Sequence, residues 1–258
     1  VTSLKESRAV AVGAHLLTSY RHTWRDSVFN SFLLPLCLLV GIGWSVGRHV
    51  DPGRDPGVPY FSYVGAGLLA ASVVQIGAAE SAWAVFGGFE WSRVYHAMRL
   101  TPARPADILT GHLAAVVARA TLGGVGFLLV IEAFGVGHRW TALGILPLLP
   151  LFAVSIAAPV MTFSATIRHA GMFDVLFRLG IVPMAMFSGI YFPLGVLPAL
   201  PRALAQTLPL VHAAGLSRML LLGTGTAREA VVHLLCLATW TVAGIALARR
   251  AFDRRLAD

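Results

Sequence analysis

The sequence predicts an all-α membrane protein with six transmembrane helices, and three observations carry that prediction. Hydrophobic residues make up 57% of the chain and charged ones only 12%, about half the charged share of an ordinary soluble domain. The apolar residues gather into six blocks, at 27–46, 61–86, 108–134, 143–167, 176–194 and 230–248, each close to the roughly 20 residues that cross a bilayer core. The basic residues stand at the edges of those blocks, with more of them on one side than on the other. Helices follow because a lone strand would leave its backbone groups without partners in lipid. No second domain, linker or internal repeat is legible, so residues 1–258 are expected to form one transmembrane unit.

Residues 1–26 precede the first block and lack the apolar core of a cleavable signal. Val12, Leu16, Tyr20 and Trp24 recur every four residues, with Arg8, His15, Arg21, His22 and Arg25 largely off that stripe. The pattern predicts a helix lying in the membrane interface; the alternative is a frayed basic terminus that only sets topology. With both termini cytoplasmic, the inside holds Lys5, Arg8, Arg21, Arg25, Arg93, Arg99, Arg104, Arg168, Arg178, Arg249, Arg250, Arg254 and Arg255. The outside then keeps Arg48, Arg54, Arg139, Arg202, Arg218 and Arg228, so thirteen against six fixes the orientation. The loop "RHVDPGRDPGVP" offsets its arginines with Asp51 and Asp55, and its prolines and glycines mark it as turn-rich.

The second and third blocks are joined through "GGFEWSRVYHAMRLTPARPADIL", residues 87–109. Trp91, Val94, Tyr95 and Met98 occupy i, i+3, i+4 and i+7, while Glu90, Arg93, His96 and Arg99 take the opposite face. That spacing predicts a short amphipathic cytoplasmic helix, which Pro102 and Pro105 stop before the next span. It either seals the inner surface of the bundle or docks a cytoplasmic partner through apolar anchors and a charged rim.

Catalytic groups are absent from the pattern. Lys5 is the only lysine and is followed by Glu6, so the chain has no P-loop. It has no H-E-x-x-H, C-x-x-C or G-x-S-x-G, and its nine histidines are scattered, so neither a catalytic residue nor a metal site is expected. The net charge of +8 lies at span edges without interleaved stacking aromatics, which argues against nucleic acid. Cys37 and Cys236 sit in apolar blocks and are expected to be small core residues. Ionisable groups inside spans are costly and mark function by default; here they are Glu80, Arg119 and Glu132. Glu80 and Arg119 differ by roughly 9 Å in depth, close enough for a pair lining a polar cavity. Otherwise each snorkels.

The fifth block ends in "YFPLGVLPALP", residues 191–201, where Pro193, Pro198 and Pro201 each remove a backbone donor. So apolar a run cannot be one straight helix; it is a kinked span or a deliberate break.

The order of these parts, with "LTPARP" after the second span and "FSGIYFPLGVLPALPRALAQTLPLVHAAGLSR" after the fifth, resembles the permeases of type-2 ATP-binding-cassette exporters. The likeness is closest to the nodulation-factor, lipooligosaccharide and drug exporter group, whose pattern S-G-x-x-F-P, L-P, L-P-L-x-H, Arg falls here on Ser188, Gly189, Phe192, Pro193, Leu197, Pro198, Leu208, Pro209, Leu210, His212 and Arg218. It spans essentially the whole chain. The resemblance implies a permease of the bacterial inner membrane, working with a second copy or homologue among membrane lipids. Separate ATPase subunits would bind ATP and Mg; this chain would hold no cofactor. They would push on a coupling region at 87–107, through Glu90, Trp91, Arg93, Val94, Tyr95, His96, Met98 and Arg99. It also implies an outer re-entrant hairpin at 193–211. Pro193 would end the fifth helix, a second short helix would run from Pro201 to Leu208, and Pro209 would end it. Ser188, Gly189, Tyr191, Phe192, Pro193, Pro198, Pro201, Pro209, His212 and Arg218 would form an outer gate for an amphiphilic substrate, a glycolipid, lipooligosaccharide or lipophilic drug. The rival readings are an ion-gradient-driven transporter, which needs ionisable groups near the midplane, a lipid-modifying enzyme, and a membrane subunit that transports nothing.

Overall fold

The computed structural model describes residues 8, 10–13, 33, 35–47, 58–137 and 140–257. Among these residues every regular element is helical. Most of the expected interfacial helix at 1–26 lies outside the described residues; the described part, Arg8 and residues 10–13, is helical. The first expected span is described only at Leu33 and from residue 35, and it runs through a π-helical stretch, Leu39–Trp44, into Ser45–Gly47.

Helix α1, Tyr60–Glu90, is the centre of the bundle and is buried along most of its length. At 1.5 Å per residue it is about 46 Å long, so it crosses a bilayer core and projects beyond it. The short helix α2, Val94–Arg99, follows. Helix α3, Pro105–Ala133, begins where Pro105 supplies a first-turn residue that needs no N–H partner. The backbone N–H of Arg104 donates to Asp107 Oδ2 at 3.0 Å, closing its first turn. A 3₁₀ turn, Trp140–Ile145, leads into α4, Leu148–Thr166, which packs on α1 and α3.

Helix α5 covers residues 172–187 in three joined pieces, Met172–Val175, a π stretch Leu176–Ile181, and Val182–Phe187. At about 24 Å it falls short of the roughly 30 Å core. The expected fifth span, 176–194, is therefore corrected at its far end. The helix stops at Phe187 because Gly189 turns the chain with a φ of 74°, a conformation that favours glycine. A 3₁₀ turn, Leu194–Val196, a short helix α6, Ala199–Ala205, and a longer helix α7, Pro209–Leu222, come next.

The expected hairpin is corrected in the same region. Pro193 precedes the 3₁₀ turn instead of ending the fifth helix, and Pro198 rather than Pro201 stands at the start of α6. Pro209 opens α7 where it was expected to close a helix. A proline at the first helical position loses no intrahelical bond, so these residues start helices here. The returning arm is α7, which runs back between α1 and α8 and is largely buried.

Helix α8, Ala227–Arg255, closes the chain after a capping box in which Glu229 N–H donates to Thr226 Oγ1 at 3.3 Å and Thr226 N–H donates to Glu229 Oε2 at 2.8 Å. It packs on α4 through one face, while Val231, Val232, Leu235, Val242 and Leu247 stay exposed, as suits a surface turned to lipid. Among the described residues four helices are long and apolar enough to cross a membrane: α1, α3, the continuous stretch Trp140–Thr166, and α8. Cys37 is exposed on the outside of the bundle and Cys236 half-buried, so neither is the core residue the sequence suggested.

Candidate functional site

At the end of the bundle that carries α2, the chain reverses through Arg93, whose φ of 51° is the only positive value outside glycine among the described residues. The reversal turns the apolar side of α2 inward. Val94, Tyr95 and Met98 pack with Phe89, Ile108, Leu109, Ala248 and Phe252. Tyr95 is 1% exposed, its ring edge-on to Phe89 at 4.8 Å between centroids. A Cβ on Gly88 would stand 2.4 Å from that ring, so only glycine admits it.

This corrects the expected docking stripe. Tyr95 cannot anchor a partner because the bundle already holds it. Trp91 lies beyond the end of α1 instead of on α2; it is 65% exposed, stacked beside Trp83 at 6.3 Å and edge-on to Phe86 at 5.5 Å. The outward face of α2 carries His96 and Arg99, with Arg93 exposed just before it and Leu100 just after it at 91% exposure. Glu90, expected at the rim, is ion-paired with Arg255 near the end of α8. Arg255 also donates to the Ile167 carbonyl at 3.1 Å, and Arg8 donates to the Pro102 carbonyl at 3.0 Å. Residue 8 and the end of α8 therefore lie at the same end as α2.

The Tyr95 hydroxyl meets His112 Nδ1 of α3 at 2.7 Å. Burial pushes the Tyr95 phenol above its usual range, so it keeps its proton. His112 is buried, and its Nε2 is sealed from solvent without a hydrogen-bond partner. Two helical turns along α3, Arg119 Nη2 stands 2.5 Å from Glu80 Oε2 of α1, with the two side chains 14% and 21% exposed. The structure thus brings Glu80 and Arg119 together and adds Tyr95 and His112 to a polar column leading from α2 into the bundle. Sequence reasoning grouped His112 with the scattered histidines. Its one legible signal was an ionisable ring inside an apolar block.

At the far end, the break after α5 is held by donors from α1 and α7. Arg218 Nη2 donates to the Gly189 carbonyl at 2.6 Å and to that of Ile190 at 3.4 Å, and its Nε donates to the Tyr63 carbonyl at 3.4 Å. Its guanidinium lies 3.8 Å from the Tyr63 ring centroid, a cation–π geometry. Tyr63 and Tyr60 donate their hydroxyls to the carbonyls of Gly189 and Tyr191, both at 2.9 Å. Burial, and then Tyr60, push the Tyr191 phenol above its usual range. Ser188 Oγ donates to the Ala185 carbonyl at 2.7 Å, and Arg202 donates to that of Leu197 at 2.7 Å. His212 Nε2 donates to the Gln206 carbonyl at 2.8 Å, and its Nδ1 meets His233 Nδ1 of α8 at 2.8 Å.

Of the residues expected at this end, Gly189 and Arg218 share one network and Tyr191 is held beside it by Tyr60, whereas Ser188 bonds within its own turn and His212 belongs to a separate contact with α8. Phe192, Pro193, Pro198, Pro201 and Pro209 shape the path between them. Tyr60 and Tyr63 were missed because a tyrosine at a span end reads as an interface anchor. Among the described residues no three His, Cys, Asp or Glu side chains gather to hold a metal.

The sequence profile of the ABC-2 type transporter family matches residues 12–222, which contain Glu80, Arg119 and Arg218. The chain is 30% identical over 230 residues to Nodulation protein J of Rhizobium leguminosarum bv. viciae, covering 89% of this chain and 88% of that one. It is 32% identical over 204 residues to Nodulation protein J of Rhizobium leguminosarum bv. trifolii, covering 78% and 77%. Against Nodulation protein J of Rhizobium meliloti (strain 1021) the identity is 29% over 247 residues, covering 96% and 93%.

Proposed function

Because the chain belongs to the ABC-2 type transporter family, we propose that this transmembrane permease is one half of an ATP-driven exporter in a bacterial inner membrane. A second copy or homologue completes the pathway, with six spans in each half and both termini cytoplasmic. Separate ATPase subunits bind ATP and Mg and supply the energy. The cargo is amphiphilic, a glycolipid, lipooligosaccharide or lipophilic drug.

The observation that carries this reading is the two-faced build of α2. Its outer face, with His96, Arg99 and the neighbouring Trp91, Arg93 and Leu100, is open to a partner. The inner face is tied through Tyr95 and His112 to the helix that bears Arg119. A push on α2 then moves α3 against α1 at the Glu80–Arg119 pair. The α5–α7 hairpin serves as the outer gate, its backbone break pinned by Arg218.

Co-purification in mild detergent with the cognate ATPase subunit tests the reading. Trp91→Ala with Leu100→Ser should lose the ATPase while the chain still inserts, because truncated interface anchors cost about 2 kcal/mol or more. Retention of the ATPase by that variant rejects the docking face. The Glu80–Arg119 pair also favours an ion-driven mechanism, since ionisable groups in spans mark proton and ion paths. Proteoliposomes separate the two: cargo movement with ATP and no ion gradient supports the exporter, and movement under a proton gradient without ATP overturns it.

A further inference from the structure

Between α4 and α8, at the end of the bundle that carries α2, lies a cavity of about 460 Å³. Arg168, Arg250, Arg254 and Arg255 line it together with Thr166, and among the described residues no carboxylate does. Glu90 answers Arg255 from outside the cavity, and Arg250 and Arg254 keep its lining positive. The guanidiniums sit where α4 and α8 end, and the negative ends of the two helix dipoles favour cations there.

The neighbouring surface is apolar. Leu247 forms one lip of the cavity, one turn before Ala251, and it is exposed, as are Val242 and Ile245 further along α8. Both helices are long and apolar enough to cross a membrane. An occupant is therefore offered fixed positive charge at headgroup depth and a hydrocarbon surface directly adjoining it. A soluble phosphate uses only the first, and an acidic protein segment does not use the second.

We propose that this cavity binds the phosphate headgroup of an anionic phospholipid, whose acyl chains lie along Leu247 and the exposed face of α8. Arg250 and Arg254, one turn apart on α8, form the principal phosphate contacts, with Arg168 reaching from the end of α4. Guanidinium groups suit this task because their planar N–H forks match phosphate oxygens. The site rests on the membrane-spanning disposition of α4 and α8 and not on the export reading, so either can fail alone.

The full chain is purified in an uncharged detergent and placed in nanodiscs of phosphatidylcholine with a minority of phosphatidylglycerol. Bound lipids are then counted by mass spectrometry after mild release. The parent chain should retain phosphatidylglycerol well above its share of the disc. Arg250→Gln with Arg254→Gln should reduce that preference about 25-fold, since each basic side chain near a membrane surface contributes about fivefold. Arg250→Lys with Arg254→Lys should keep most of it, which separates lost charge from lost fold. Equal retention by the glutamine variant overturns the proposal. Displacement of phosphatidylglycerol by inorganic phosphate at constant ionic strength also overturns it, by assigning the site to a free anion. So does a glutamine variant that sheds the ATPase subunit yet keeps phosphatidylglycerol, by assigning the arginines to a protein surface.

Discussion

The two ends of the bundle handle a chain reversal in opposite ways. Where α1 passes to α2, one left-handed residue, Arg93, makes the turn, and side chains hold it: Tyr95 among Phe89 and Phe252, Glu90 against Arg255. Where α5 ends, the backbone itself is left open, and Arg218, Tyr63 and Tyr60 donate to the carbonyls of Gly189, Ile190 and Tyr191. The contrast is one of stiffness. A short helix with its own hydrogen bonds intact can be displaced as a piece, because only side-chain contacts must slide. An open backbone in apolar surroundings stays where its donors are, because each orphaned carbonyl carries a desolvation cost. Movement should therefore enter at α2, and the far end should resist it until its donors shift.

Removing the chief donor tests that contrast most severely. Arg218→Ala should destabilise the protein by about 3–5 kcal/mol, since it deletes charge-assisted bonds to several carbonyls and a buried cation–π contact. The unfolding midpoint in detergent measures this, and Arg218→Lys should recover part of the loss. A parent-like midpoint for the alanine variant would mean that the break is held by something else.

The intramembrane pair comes next. Arg119→Leu should cost about 3 kcal/mol by leaving Glu80 as a buried charge without its partner. Adding Glu80→Leu should recover most of that, because removing both charges also removes the desolvation penalty. A double variant as unstable as the single one would show that Arg119 acts through other contacts.

Gly67→Ala sharpens the far-end picture. A Cβ there would stand 2.9 Å from Arg218 Nη2 and 3.2 to 3.3 Å from Ile190. Displacing the guanidinium from its carbonyls should cost about 1–2 kcal/mol, in the range of overpacked sites. Thermal unfolding with and without Arg218→Lys would reveal whether the two effects are one.

At the α2 end, Tyr95→Phe keeps the ring and deletes only the bond to His112. The expected loss is about 1 kcal/mol, and cargo-stimulated ATPase activity should fall while the ATPase still co-purifies. Unchanged stimulation would remove Tyr95 and His112 from the route. Leu100→Ser alone, at a position 91% exposed, should change stability by no more than about 0.5 kcal/mol.

Much of this molecule was legible from the chain alone. Composition and block length established an all-helical membrane protein, because lipid leaves the backbone no other way to satisfy itself along a span. The prolines at the end of the fifth block announced a broken segment, and the i, i+3, i+4, i+7 spacing announced a short helix from Trp91 onward, which the structure begins at Val94. Tertiary structure decided which way each piece faces and where each break falls. Periodicity gives α2 an apolar side but cannot say whether that side meets a partner or the bundle; the φ of Arg93 and the space above Gly88 turned Tyr95 inward. A proline forbids a helix interior yet permits a helix start, so sequence could not tell that Pro209 opens α7. The pairings of Glu80 with Arg119, Tyr95 with His112, and Arg218 with Gly189 join residues from 17 to 39 positions apart. Such contacts depend on the rotation of one helix against another, which is set by the packing of many small residues together.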